Sequence, residues 1–68
     1  MSAPDTAEAW ASRDRLGIFA RDLALMAERL ADMAYRGQDR LALAAALDIR
    51  GEAGRAVEIA RKLAESAE

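Results

Sequence analysis

Glu28 and Asp32 stand four residues apart, a spacing that on a helix sets two carboxylates on one face and could serve acid–base or metal chemistry. A working site would need further groups converging from a second helix. The Glu-x-x-His element of di-iron bundles cannot supply them, because the chain contains no His. Absence of His also removes the commonest general base and metal ligand, and with it Ser-His-Asp triads and two-His metal motifs. Cys is absent as well, so no disulfide framework, thiolate nucleophile or Cys-based zinc or iron–sulfur site can form. What remains is six Asp, six Glu, one Tyr, three Ser and one Thr. With Arg29 and Arg36 close to the carboxylate pair, it reads as a solvated, ion-paired surface. We expect a non-enzyme with no catalytic residue, no cofactor, no metal and no small-molecule substrate.

The elements that would position any such residues must fit into 68 residues, room for one small domain over 1–68 and no separate catalytic module. Eighteen Ala and eight Leu raise helix propensity along most of the chain. Ten basic against twelve acidic residues give a formal charge of −2, without the basic excess that marks a dedicated nucleic-acid binder. Helix 1 mixes Arg13, Arg15, Arg21 and Arg29 with Asp14, Asp22, Glu28 and Asp32, so its polar face lacks the cationic bias that draws a helix to anionic lipid. No run approaches eighteen uncharged apolar residues, and no membrane partner is expected. Residues 1–8 carry neither a basic segment nor an apolar one, so no secretory leader is expected and the cytoplasm is the expected compartment. Nine Arg to one Lys with abundant Ala points to a GC-rich bacterial or phage gene.

Ser2, Pro4 and Asp5 read as a helix start: a capping hydroxyl, a proline tolerated in the first turn and an acid three residues on. A first helix should open near residue 4 and run to Arg36-Gly37, with Gly17 as the point where it can bend and residues 1–15 as a frayed or partner-binding arm. Over 16–36, Leu16, Phe19, Leu23, Met26, Leu30 and Met33 alternate spacings of three and four, a coiled-coil-like heptad seam. Ala20, Ala27 and Ala34 lie beside it and allow close helix approach. Asp39 can cap a second helix over 39–50, apolar around most of its circumference and therefore expected inside an assembly. Arg50-Gly51 should end it as Arg36-Gly37 ends the first. A third helix over 52–67 should bury Ala53, Ala56, Val57, Ala60, Leu63, Ala64 and Ala67, and solvate Glu52, Arg55, Glu58, Arg61, Lys62 and Glu65, with Glu58 and Lys62 paired.

Leu43-Ala44, Leu47, Gly51, Ala56-Val57, Ala60 and Leu63 resemble the spacing of one tetratricopeptide repeat, which implies a tight helical hairpin within 43–63. The run from Leu43 to Arg50 is also similar to the first half of a DNA-binding helix-turn-helix. That resemblance implies base or phosphate contacts from Arg50, Arg55, Arg61 and Lys62. The fold expected is all-α: a long N-terminal helix and a short helical hairpin, three helices in all, assembled into an oligomeric bundle. The function expected is homo-oligomerisation and protein–protein interaction, as an adaptor or regulatory subunit, through Trp10 and the seam from Leu16 to Met33. The alternative is a small DNA-associated protein, either a helix-turn-helix regulator or a phage-type packaging subunit. Nucleic acid is not favoured.

Overall fold

A computed structural model describes residues 6–67, so the expected start at Ser2, Pro4 and Asp5 lies outside the described residues. The chain is all-α, built from α1 (Ala7–Tyr35) and α2 (Asp39–Ala67). Each helix has 29 residues, about 43 Å at 1.5 Å per residue. Residues 36–38 join them as an antiparallel hairpin measuring 52 × 15 × 14 Å.

Thr6 opens α1. Its backbone is extended (φ −80°, ψ 158°), and its Oγ1 accepts a hydrogen bond from the Ala9 N–H at 3.0 Å, satisfying one of the free donors of the first turn. Glu8 adds a negative charge where the helix dipole favours one. The helix then passes through Gly17 without interruption. It ends at Gly37, where φ is +71°. The Gln38 N–H donates to the Met33 carbonyl at 2.9 Å and the Gly37 N–H to the Ala34 carbonyl at 3.1 Å. These two bonds form the Schellman closure that a glycine after a last helical turn makes available.

Gly51 behaves differently, and the expected three-helix count is corrected to two. Residues 39–67 form one continuous helix, and Gly37 is the only glycine with positive φ among the described residues. The apolar phase explains the contrast. Ala42, Ala45, Ala46 and Ile49 are half-buried before Gly51, and Ala53, Ala56, Ile59 and Leu63 are half-buried after it. The rhythm crosses the glycine unbroken, so helix packing outweighs the roughly 1 kcal/mol that a helical Gly costs relative to Ala. Around Gly37 the rhythm stops, because the polar run Arg36-Gly37-Gln38-Asp39-Arg40 offers nothing to bury. The expected hairpin within 43–63, taken from the tetratricopeptide resemblance, is absent for the same reason. The second helix begins at Asp39, which lies in its first turn.

On α1 the half-buried positions are Ala9, Ser12 and the series Leu16, Phe19, Leu23, Met26, Leu30 and Met33. This is the side along which α2 packs. Large side chains on α1 thus face mostly small ones on α2, a division that fills the space between two close helices. Because α2 is continuous, it covers the N-terminal half of α1 as well, which two short helices would have left bare. The inward side of α2 differs from the expected one in detail. Ile59 and Glu52 are half-buried, whereas Val57, Ala60 and Ala64 are exposed.

Candidate functional site

Glu28 and Asp32 both lie on the exposed surface of α1. Asp32 accepts a hydrogen bond from Arg36 Nε at 3.2 Å, with both side chains largely exposed, and Glu28 is exposed. No group of three or more acidic side chains converges among the described residues. The molecule offers surface instead. Among the described residues no apolar side chain is buried, and Trp10, Ile18, Leu25, Tyr35, Leu41, Leu43, Leu47 and Val57 are exposed, from 46% at Leu47 to 92% at Tyr35. Within a single hairpin the stretch 39–50 is therefore only partly covered. Leu41, Leu43 and Leu47 have only one helix to pack against, and a single neighbour cannot cover a helix that is apolar all round.

Two patches stand out on this surface. Trp10 is 59% exposed near the start of α1, with the Arg13 guanidinium 5.2 Å from its ring centroid, within cation–π range. Ala11 and Asp14 lie beside them. The second patch is a groove between the helices near the middle of the hairpin. It is lined by Asp22, Leu25, Met26 and Arg29 of α1, and by Leu47, Asp48, Gly51, Glu52 and Arg55 of α2. Glu52 is the residue that sequence reasoning misplaced on a solvated face. Its side chain is only 22% exposed, and Arg55 reaches back one turn to hold it at 2.7 Å. The signal was present, since counting the rhythm onward from Ile49 leads to positions 52 and 53 before Ala56.

The seam residues Leu16, Phe19, Leu23, Met26, Leu30 and Met33 lie half-buried along the hairpin's own contact, while Trp10 projects away from it. Arg50, Arg55, Arg61 and Lys62 are all exposed on α2 but do not gather on one face: Arg50 and Arg55 are five residues apart, or about 140° around a helix. Arg55 is engaged by Glu52, and Arg61 by Glu58 at 2.7 Å. The expected Glu58–Lys62 pair is replaced by this Glu58–Arg61 pair. The resemblance to a helix-turn-helix is overturned by the backbone, since that motif requires a turn and α2 has none. No helix among the described residues is long and apolar enough to cross a membrane.

These features define a helical hairpin with an open, partly apolar surface. The chain matches no known protein family, curated protein or solved structure.

Proposed function

We propose that this chain is a non-catalytic interaction module, an adaptor or regulatory subunit that works by associating with copies of itself and with another protein. One observation carries the reading. Among the described residues no apolar side chain is buried, and eight large apolar side chains are exposed. Two helices can cover only one side of each other, which leaves these side chains outside. Small domains without disulfide or metal staples commonly make up such a deficit by oligomerising. The residue types point the same way, since a chain without His or Cys lacks the side chains most used in catalysis.

Light scattering across a wide concentration range tests the proposal. The expected result is a mass above that of one chain, falling toward it on dilution. A single-chain mass throughout, together with a sharp cooperative thermal transition, would show a self-sufficient monomer and overturn it.

Trp10 is the side chain best suited to engage the second protein, because an exposed Trp buries a large area on docking at low entropic cost. In the hairpin alone its fluorescence should be red and readily quenched by acrylamide, and it should shift to the blue when a genuine protein partner binds. Unchanged emission in a demonstrated complex would remove Trp10 from the interface.

A further inference from the structure

Gly51 is costly for the helix it occupies, yet a side chain placed there would meet no atom of another element within 4 Å. Nothing inside the hairpin requires this glycine. It floors the open groove of about 620 Å³ between α1 and α2, beside Leu25 and Leu47, each about half exposed. Small residues of this kind are used where a second backbone must come close. Four charges mark the corners of the groove. Asp22 and Arg29 flank Leu25 on α1, and Asp48 and Arg55 flank Gly51 on α2. Asp22, Arg29 and Asp48 form no ion pair with any described residue, and Arg55 meets Glu52 inside the groove.

We infer that this groove docks against the same groove of a second copy of the chain, about a two-fold axis crossing the hairpin at the level of Leu25 and Gly51. The inference rests on the assembly reading above and names its surface. About that axis α1 lies over α1 and α2 over α2 in antiparallel sense. Asp22 then faces Arg29 of the second copy, and Asp48 faces Arg55 of the second copy. Each pairing occurs twice, as an isologous interface demands. Both charge pairs span seven residues, and their midpoints fall at Leu25–Met26 on α1 and Gly51–Glu52 on α2, residues that line the groove together. A groove of a single sign would repel its own copy, whereas this alternation attracts it. The bare Cα of Gly51 lets the two α2 helices approach, and Leu25 and Leu47 fill the space beside the crossing. A face of 52 × 15 Å is of the same order as the roughly 800 Å² that each partner of a standard interface buries.

Sedimentation equilibrium on the full chain, with circular dichroism as the folding control, tests this assignment. Asp22→Arg and Arg29→Asp should each weaken the dimer by roughly tenfold, and the double exchange D22R/R29D should restore it to within about threefold. Gly51→Leu should give a monomer that keeps its helical signal. Gly51→Ala should be at least as helical as the parent, because Ala is the better helix former and the space is open. Intact dimers in both single reversals and in Gly51→Leu would overturn the groove assignment while leaving assembly standing. Failure of the double exchange to restore association would overturn the two-fold arrangement. A parent chain that is monomeric at every concentration would overturn both the groove and the assembly reading.

Discussion

Leu23→Asp is expected to abolish most of the helical signal and to leave a largely unfolded monomer. Leu23 is half-buried midway along α1, on the side that α2 covers. The substitution removes a large apolar group from that contact and puts a carboxylate in its place, a change worth roughly 2–4 kcal/mol at a partly covered position. Domains of this size seldom hold more than about 3–5 kcal/mol in reserve, and the loss consumes most of it. Far-UV circular dichroism with a urea titration provides the measurement, and Leu23→Ala should give a smaller shift in the same direction. A Leu23→Asp chain with unchanged helicity and midpoint would show that this side of α1 is not where the hairpin closes.

Gly37→Val should destabilise the hairpin by more than about 1 kcal/mol, because a β-branched residue resists the left-handed region that the turn imposes. The cost is conformational, since a side chain at Gly37 would meet no atom within 4 Å but must adopt φ +71°. Two hydrogen bonds depend on that angle, from the Gly37 and Gln38 N–H groups to the Ala34 and Met33 carbonyls. Gly37→Asn should cost less, because Asn tolerates the left-handed region better than other side chains with a Cβ. Urea midpoints for the two variants check the order. Equal and negligible shifts would mean that the connection between α1 and α2 does not depend on a left-handed residue.

Much of the hairpin is legible from residue types alone. Helical character follows from alanine and leucine content, and the half-buried side of α1 coincides with the three-and-four rhythm from Leu16 to Met33. The turn at Gly37 is legible because two independent signals agree there: a glycine follows the last apolar position, and the apolar rhythm ends in a polar run. At Gly51 the same local signal, Arg followed by Gly, predicts a stop, although the rhythm continues across it. A helical glycine is a local cost of about 1 kcal/mol, and a local cost cannot end a helix whose two halves pack in one phase on a common neighbour.

The sequence by itself determined the fold class, the closing of α1, and the exclusion of chemistry that needs His or Cys, because these depend on residue identity and short-range geometry. Tertiary structure decided the rest. It joined 39–67 into one helix, turned Ile59 and Glu52 inward while leaving Val57 outside, and extended cover over the N-terminal half of α1. It also brought Asp22, Leu25 and Arg29 beside Leu47, Asp48 and Gly51, residues some 25 positions apart in the chain. The physical reason is that which side of a helix is covered depends on the neighbour's length and register. Those are set by the sum of many weak contacts between the two helices, and no single residue carries them.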